Sequence, residues 1–256
     1  MIKWNELPDF MKTDEVRHYY DILEKKRASL FFKRVFDITV SLIMLIVLSP
    51  VFLVLALAIK IDSPGPVFYR QVRVTQYGKA FKIYKFRTMV QNADKIGTQV
   101  TVSNDARVTR VGKKIRDWRL DEISQLLNVL NGSMTFVGTR PEVPKYTAHY
   151  TPEMTATFLL PAGITNLTSI YYKDESRLLK DAADTDKTYI EEVLPQKMYF
   201  NLKGIEDFSF WNDIKIMFMT FFAVCGKEYN CDYEEMTVSM TQISETEEQV
   251  SEESKV

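Results

Sequence analysis

The spacing of apolar residues is clearest in residues 120–132, near the middle of the chain. Ile123, Leu126, Leu127 and Leu130 stand at positions i, i+3, i+4 and i+7, which places them on one face of an α-helix. Gly132 follows, where helices commonly end in a left-handed residue. The pattern therefore predicts one short helix with a single buried face.

A second pattern is a continuous apolar run, because residues 38–59 contain no charged side chain. About 20 apolar residues suffice to cross a bilayer as a helix. Ser49 and Pro50 stand at the centre of the run, and proline removes a backbone donor and clashes with the preceding turn. A helix broken there leaves two halves of roughly 15 Å each, against about 30 Å of hydrocarbon. Two predictions stay open: a kinked helix that spans the membrane, and a re-entrant hairpin that returns to the face it entered.

Basic residues stand just before this apolar run, where an anionic membrane surface would hold them. Asp37, at the start of the run, is predicted to pair with this basic collar. The collar consists of Lys25, Lys26, Arg27, Lys33 and Arg34.

Apolar and polar residues alternate in residues 67–74 and 80–89, and residues 76–79 have the composition of a turn. This pattern predicts a β-hairpin. The alternation places Lys85 and Arg87 on the same face of the second strand, and Lys82, Tyr84 and Phe86 on the other.

Shorter patterns indicate further elements. Residues 133–137 predict a short strand, and helices are predicted around residues 16–23, 107–119, 189–197 and 208–224. The last of these is rich in Phe and Met, and two interpretations are open for it. It packs into the core, or it lies in the headgroup layer of a membrane, as Trp211 would favour.

Charge is distributed unevenly along the 256 residues, although the net charge is only −1. Residues 60–119 contain fourteen Lys or Arg and four Asp, a balance of +10, which suits an anionic partner. Residues 232–256 contain eight acidic residues and one Lys, and the chain from Glu228 onward is predicted to be a disordered tail. Two cysteines, Cys225 and Cys231, are too few for a disulfide framework and fit a reducing cytoplasm.

Two adjacent carboxylates, Asp121 and Glu122, stand at the start of the predicted central helix, with Arg116 and Arg119 before them and Arg140 after. Carboxylates in the first turn commonly cap a helix and compensate its dipole, so this explanation stands beside a catalytic one. Several fixed cations are what a diphosphate substrate requires. A basic helix can also bind nucleic acid, but no nucleic-acid fold signature and no glycine-rich nucleotide motif accompanies this one.

Five motifs, in this order, resemble the bacterial sugar transferase family, the monotopic polyprenyl-phosphate phosphoglycosyl transferases. The resemblance extends over roughly residues 33–169. The motifs are Lys33-Arg34-Val35-Phe36-Asp37, Ser49-Pro50, Lys85-Phe86-Arg87-Thr88-Met89, Asp121-Glu122 and Gly138-Thr139-Arg140-Pro141-Glu142.

The resemblance implies a membrane-associated (monotopic) α/β fold with a re-entrant helix broken at Ser49 and Pro50, a small β-hairpin and several amphipathic helices. Together with composition, it divides the chain into an N-terminal cytoplasmic or interfacial segment at 1–32, the re-entrant helix at 33–60, a catalytic domain with interfacial helices at 61–227 and the acidic tail at 228–256. Both ends of the re-entrant helix would then face the cytoplasm, on the cytoplasmic side of the bacterial inner membrane.

The resemblance also implies the reaction, transfer of a sugar-1-phosphate from a UDP-sugar to polyprenyl (undecaprenyl) phosphate with release of UMP. This would be the first membrane step in the assembly of a glycoconjugate such as a capsule, exopolysaccharide, O-antigen or glycoprotein. Asp121 would be the nucleophile that forms a phosphosugar intermediate and would also bind Mg²⁺, and Glu122 would be the base or positioning group. The implied partners are both substrates and the bilayer, with no nucleic acid, and a homo-oligomer stays open. The implied substrate-binding residues are Lys85, Arg87, Arg116, Gly138, Arg140, Pro141 and Glu142.

The sequence departs from the family pattern at several uncharged positions, where loop geometry and sugar recognition are expected to differ. A second hypothesis belongs to another class: a membrane-anchored scaffold that binds anionic lipid through its basic residues and has no turnover. The intact Asp121-Glu122 pair counts against that hypothesis. The departures are Thr75, Ser124, Ser133, Thr139, Ala162 and Asn166.

Overall fold

The computed structural model describes residues 1–93, 105–171, 185–227 and 229. The predicted tail from Glu228 onward, Tyr229 apart, lies outside the described residues. The α-helices are α1 (Asp14–Lys25), α2 (Arg27–Val47), α3 (Ser49–Asp62), α4 (Arg110–Asp117), α5 (Leu126–Asn131), α6 (Pro144–Thr147), α7 (Leu167–Tyr171), α8 (Thr185–Thr188), α9 (Leu194–Glu206) and α10 (Phe210–Val224). The strands are β1 (Phe68–Val74), β2 (Ala80–Phe86), β3 (Met134–Val137) and β4 (Ala162–Thr165). Further helical turns are the 3₁₀ segments Trp4–Glu6, Asp9–Met11, Gln76–Gly78, Leu120–Gln125 and Glu153–Leu159, and the π-helix Tyr189–Val193.

The predicted hairpin is confirmed: β1 and β2 pair antiparallel, with Phe68 opposite Phe86 and Val74 opposite Ala80. The predicted faces agree with this register, since Phe68, opposite Phe86, packs against both Tyr84 and Phe86. Burial differs along that face, because Phe86 at the end of β2 is buried whereas Lys82 is exposed. The hairpin is covered on both sides there. Ile83 packs in the cluster with Leu126 and Val129, and Phe86 packs in another with Leu55, Ile59 and Ile115.

The predicted single helix at 120–131 is instead two elements, a 3₁₀ helix over Leu120–Gln125 and α5 over Leu126–Asn131. Of the predicted apolar stripe only Leu126 is buried, and three polar side chains, Ser124, Gln125 and Asn128, are buried beside it. Two of these side chains pair with the edge of β2. Asn128 accepts from Tyr84 N (2.8 Å) and donates to Lys82 O (3.1 Å), and Ser124 donates to Tyr84 O (3.0 Å). The segment therefore covers a strand edge with hydrogen-bonding side chains.

Gly132 ends α5 in the left-handed conformation, with φ +86° as predicted. Beside it, Arg34 of α2 donates to the carbonyl oxygens of Val129 (2.7 Å) and Leu130 (3.0 Å). A guanidinium at the C-terminal end of a helix satisfies carbonyls that lack intrahelical partners. This contact fixes α2 against the segment that carries Asp121 and Glu122.

The apolar run forms the bent pair, α2 and α3, whose axes differ by 61° across Leu48. The predicted break is confirmed, and Pro50 stands in the first turn of α3, where its missing N–H removes no hydrogen bond. Among the described residues, no single helix is long and apolar enough to cross a membrane, whereas the bent pair together meets that length and composition. Many apolar side chains of the pair are exposed, among them Ile38, Leu42, Ile43, Ile46, Val47, Leu53, Val54, Leu57 and Ile61.

The prediction that Asp37 pairs with the basic collar is wrong. Its carboxylate accepts from Thr135 Oγ1 (2.7 Å) and from the backbone N–H of Phe136 (3.3 Å), both in β3. Lys33 of the collar is also buried, and it pairs with Asp213 of α10. These buried polar contacts join α2 to β3 and α10, and they require a tertiary arrangement that charge spacing along the chain does not reveal.

The predicted strand at 133–137 is confirmed as β3, which pairs parallel with β4. Glycines allow the two strands to approach closely beyond the ladder: a Cβ on Gly163 would lie 2.2 Å from both N and O of Gly138. Gly163 N also donates to Thr139 O (2.8 Å). This pairing, which the sequence did not predict, sets the position of residues 139–142.

The N-terminal and C-terminal helices complete the described structure. The helix predicted around residues 16–23 is confirmed as α1 and buries all four predicted residues, Val16, Tyr19, Tyr20 and Leu23. In α10 one face is buried, which agrees with core packing, and the other is exposed; the interfacial interpretation stays a prediction. The buried residues of α10 are Asp213, Ile216 and Ala223, and the exposed ones include Trp211, Phe218, Phe221, Phe222 and Val224.

Candidate active site

The candidate site forms where β2, α4, the 3₁₀ helix and the segment after β3 meet. Glu122 lies at its centre, with Lys85 Nζ at 3.0 Å from one carboxylate oxygen and Arg140 NH2 at 2.5 Å from the same oxygen. Lys85 comes from β2 and Arg140 follows β3, so tertiary structure brings together three residues that the sequence proposed separately. Two cations on one carboxylate form a charge-compensated cluster.

The two neighbouring carboxylates have opposite electrostatic environments. Burial alone would raise the pKa of Glu122, but the charges and hydrogen bonds of Arg140 and Lys85 together hold it well below its ordinary value. Burial, and then the charge of Glu122, raise the pKa of Asp121, and Lys85 and Arg116 oppose this only in part. Asp121 forms no ion pair with any described residue. The structure thus separates a fixed carboxylate from an uncommitted one.

Arg116 reaches the site from α4 because that helix approaches the end of the hairpin closely. A Cβ on Gly112 would lie 2.0 Å from Thr88 O, and one turn later Arg116 Nε donates to Thr88 Oγ1 (2.8 Å). The positive charge of Arg116 lowers the pKa of Asp121, so the two side chains are close in space. Thr88, which the sequence singled out only as part of a motif, therefore positions a predicted site residue.

Arg87 lies one residue beyond β2, and its side chain contacts the turn after α3 rather than Glu122, which Lys85 binds. Its guanidinium is buried and donates to Ser63 O (2.7 Å), Ser63 Oγ (3.0 Å) and Pro64 O (2.7 Å). These contacts close the turn that follows α3. In this structure Arg87 supports the junction between the bent pair and the hairpin.

Pro141 and Glu142 are also buried, behind Arg140 rather than beside the two carboxylates. Glu142 Oε1 accepts from Tyr189 (2.5 Å) and from Lys197 Nζ (3.2 Å), which also donates to the Tyr189 hydroxyl (2.8 Å). Arg73 NH1 donates to Pro141 O (3.0 Å). This buried network holds the backbone next to Arg140. Sequence reasoning missed Tyr189, Lys197 and Arg73, which are distant in sequence and carry no motif.

The buried network gives a prediction for stability. We expect Lys197→Met to lower the free energy of unfolding by about 3–5 kcal/mol, because Glu142 keeps its buried charge and loses a cation. Lys113→Met, which breaks the exposed pair of Lys113 with Asp117, should cost less than about 1 kcal/mol. Denaturant unfolding of both variants in one detergent measures the difference, and equal losses would show that burial does not govern these pairs.

Mg²⁺ binds oxygen ligands, so the carboxylates near the site are its candidate ligands. Among the described residues, no group of three or more His, Cys, Asp or Glu side chains could hold a metal ion. Mg²⁺ commonly uses one or two carboxylates, and substrate phosphates and water supply the remaining oxygens. Asp121, which pairs with no cation of the described ranges, fits such a site, whereas Glu122 already binds Lys85 and Arg140.

A cavity of about 790 Å³ opens beside Glu122. Its polar end is formed by Asp117, Arg119, Glu122 and Arg140, and its remaining lining is mostly apolar. We call it the amphipathic cavity. The apolar lining includes Met44 of α2, Ile164 and Ile170, and Met217, Phe221 and Val224 of α10.

The fold and the site define a class of protein in which basic side chains surround two adjacent carboxylates beside an exposed, bent apolar helix pair. The chain belongs to the bacterial sugar transferase family, whose model matches residues 28–227. The family predicted from the sequence motifs is thus confirmed.

The chain is similar to several named transferases. The chain is 38% identical over 195 residues to the UDP-glucose:undecaprenyl-phosphate glucose-1-phosphate transferase of Escherichia coli (strain K12), a match that covers 74% of the chain and 39% of the relative. It is 37% identical over 193 residues to the UDP-N-acetylgalactosamine-undecaprenyl-phosphate N-acetylgalactosaminephosphotransferase of Aeromonas hydrophila (74% and 43%). It is 35% identical over 191 residues to a Caulobacter vibrioides glucose-1-phosphate transferase that also uses UDP-glucose and undecaprenyl phosphate (73% and 67%). The match spans about two fifths of the length of the first two relatives.

Proposed function

We propose that this protein transfers a sugar-1-phosphate from a UDP-sugar to polyprenyl phosphate and releases UMP. The observation that carries the proposal is the separation of the two carboxylates: Lys85 and Arg140 hold Glu122, whereas Asp121 forms no ion pair within the described part of the chain. The names of the relatives support both substrates, since they combine a UDP-sugar with undecaprenyl phosphate. They also support a role in building lipid-linked glycoconjugates.

The proposed chemistry has two displacements at one phosphorus atom. A carboxylate oxygen of Asp121 attacks the phosphorus that bears the sugar, the bond from that phosphorus to the UMP oxygen breaks, and UMP leaves with the electron pair. An oxygen of the polyprenyl phosphate then attacks the same phosphorus, and the Asp121 carboxylate is the leaving group. Lys85, Arg116 and Arg140 offset the charge that accumulates on the phosphoryl oxygens.

Glu122 is assigned a positioning role rather than that of a base. Its depressed pKa makes it a weak proton acceptor near neutral pH. A phosphate monoester, with a second pKa of about 6, needs no base to be nucleophilic there. Glu122 instead holds Lys85 and Arg140 in place. Asp121 and the diphosphate oxygens would hold Mg²⁺, which when bound neutralises negative charge on the diphosphate.

The experiment that tests the function is UMP release from a panel of UDP-sugars by membranes that contain the protein, with and without added polyprenyl phosphate. Transfer predicts acceptor-dependent UMP release with at least one sugar and a lipid-linked sugar diphosphate as product. The alternative, a non-catalytic lipid-binding scaffold, predicts no release above membranes without the protein.

We also propose that the bent pair enters and leaves the bacterial inner membrane by its cytoplasmic face. The 61° bend and the exposed apolar side chains of α2 and α3 support this arrangement. Basic residues flank both ends, with Arg34 before the run and Lys60 after it, and the positive-inside rule favours the cytoplasm for both. Exposed aromatic side chains on α10 support an interfacial position for that helix.

The proposed topology places both ends of the bent pair in the cytoplasm, which cysteine labelling can test. In a background without Cys225 and Cys231, single cysteines placed before Arg27 and after Asp62 should both resist a membrane-impermeant thiol reagent added outside the cell. Pro50→Leu should favour a continuous helix and expose one of the two ends to the reagent in part of the population. Labelling of only one of the two ends in the single-cysteine variants that keep Pro50 would mean that the segment spans the membrane.

A further inference from the structure

The two carboxylates face different surroundings. Glu122 is among the described residues that line the amphipathic cavity, and Asp121 is not. The charges that act on Asp121 besides Glu122 are those of Lys85 and Arg116, on the side of β2 and α4. Adjacent residues of a 3₁₀ helix point about 120° apart, so Asp121 borders the cavity without lining it, and an acceptor bound there would be next to the phosphosugar that Asp121 would carry.

Arg119 is a basic residue in the lining of the amphipathic cavity. It precedes the 3₁₀ helix in the left-handed conformation, with φ 55° and ψ 22°, which non-glycine residues adopt at an energetic cost. Its side chain is exposed, lines the polar end of the cavity, and has no hydrogen bond or ion pair with any described residue. In contrast, Lys85 and Arg140 bind Glu122, and Arg116 binds Thr88. An uncommitted guanidinium thus stands at the mouth of a mostly apolar cavity.

We propose that the amphipathic cavity binds the acceptor lipid, with Arg119 on its phosphate and the apolar lining around the first isoprenoid units. This inference rests on the proposed function, because it assigns one of the two substrates to one side of the site. A phosphate monoester carries close to two negative charges near neutral pH, and the negative charge of Glu122 is already offset by Lys85 and Arg140. The donor then occupies the other side, next to Asp121.

The size of the cavity agrees with this occupant. A volume of about 790 Å³ lies within the roughly 300–1,000 Å³ of small-molecule sites, enough for a phosphate and a few isoprenoid units. The rest of a long polyprenyl chain would leave over Phe221 and Val224, which are apolar and exposed. These side chains continue into the exposed apolar surface of α10, so the chain would pass from the cavity to the lipid phase.

The test of the polar end uses Arg119→Asn and Arg119→Lys. Asn tolerates the left-handed backbone, so Arg119→Asn removes the charge without a new conformational cost, and Arg119→Lys keeps the charge. Loss of a charge-assisted hydrogen bond predicts an acceptor KM raised about tenfold or more in Arg119→Asn, with partial restoration in Arg119→Lys. The donor KM and the burst of UMP release without acceptor should not change. A raised donor KM, a smaller burst, or an acceptor KM within twofold of the wild type would overturn the assignment.

A binding measurement separates failure of this inference from failure of the proposed function. Trp118 lines the cavity, so its fluorescence, in a variant with Trp4→Phe and Trp211→Phe, should respond to undecaprenyl phosphate in detergent. We expect about tenfold weaker binding in Arg119→Asn and weak binding of neutral undecaprenol to both proteins. Equal binding of the phosphate by both proteins would overturn the role of Arg119, whether or not any UDP-sugar is turned over.

The apolar end has its own matched pair of variants. Val224→Glu places a charge in the cavity lining, whereas Phe218→Glu places one on the same helix at a position that does not line the cavity. Both side chains are exposed, at 65% and 62%. Only Val224→Glu should raise the acceptor KM, by about tenfold, at equal amounts of membrane-bound protein. Equal effects of the two variants would assign the loss to membrane contact and overturn the cavity as the acceptor site.

Discussion

Asp121→Asn is expected to abolish UMP release and to leave no phosphosugar on the protein. The amide is nearly the same size as the carboxylate but is a far weaker nucleophile, and loss of a covalent nucleophile typically costs a factor of about 10⁴–10⁶ in turnover. The uncommitted state of Asp121 makes the prediction specific. Since no ion pair with a described residue depends on this carboxylate, the substitution should leave the fold and the Glu122 cluster intact.

The measurement is intact-protein mass spectrometry after incubation with UDP-sugar and Mg²⁺ in the absence of acceptor. The wild type should gain the mass of one sugar phosphate, and hydroxylamine, which cleaves acyl phosphates, should convert the modified residue to a hydroxamate that peptide mapping locates. Asp207→Asn, at an exposed carboxylate after α9, is the control and should behave as the wild type. A hydroxamate at another residue, or an active Asp121→Asn protein, would contradict the proposed mechanism.

Glu122→Gln should have a different effect from Asp121→Asn if Glu122 positions cations. The amide can still accept a hydrogen bond from Arg140 or Lys85, but it no longer offsets their charge. We therefore expect a slower first step that still forms some adduct. Complete absence of adduct in Glu122→Gln, at unchanged stability, would mean that Glu122 takes part directly in the first displacement.

Local sequence patterns predicted those parts of the fold that depend on local physics. The helical spacing of Val16, Tyr19, Tyr20 and Leu23 suffices to predict α1, because it places all four apolar side chains on the one face that is buried. Pro50 suffices for the break between α2 and α3, because its ring cannot continue the preceding turn. The hairpin follows in the same way from alternation and a turn. In each case the controlling residues lie within a few positions of the element they specify.

Elements and contacts that depend on residues distant in the sequence were missed or misassigned. β4 has four residues and pairs with a strand that starts 28 positions earlier, at Met134, so it has no local signal. Arg87 was predicted to line the site with Lys85, whereas its guanidinium binds Ser63 and Pro64, more than twenty positions earlier. Glu142 was assigned to the substrate because it follows Arg140, whereas its partners come from residues 47 and 55 positions later.

The sequence predicted which residues form the candidate site, but not which carboxylate pairs with which basic side chains. Motifs brought Asp121, Glu122, Lys85, Arg116 and Arg140 together as one group. Which carboxylate holds the cations depends on how β2 and the segment after β3 pack against the 3₁₀ helix. That pairing decides which carboxylate is free to react, and it gives the argument for distinct roles.

Arg140→Ala is expected to lower turnover by about 10²–10³, the usual effect of removing one donor that stabilises a transition state. Arg110→Ala is the matched control, because Arg110 is exposed on α4 and is expected to change turnover less than twofold. Arg140→Lys, which keeps the charge without the planar fork, should be intermediate. Turnover of Arg140→Ala within a few-fold of Arg110→Ala would mean that the cluster is only a basic surface.

A double variant then shows how Arg140 acts. If Glu122 acts by positioning Arg140, removing both in Arg140→Ala/Glu122→Gln should cost about as much as the more damaging single substitution, because the two residues form one unit. If Glu122 orients only Lys85 and Arg140 acts independently of it, the two losses should multiply. Rates measured for the wild type, both single variants and the double variant separate these cases. The 2.5 Å contact between Arg140 and Glu122 favours the first, because a guanidinium held this closely by a carboxylate depends on it for position.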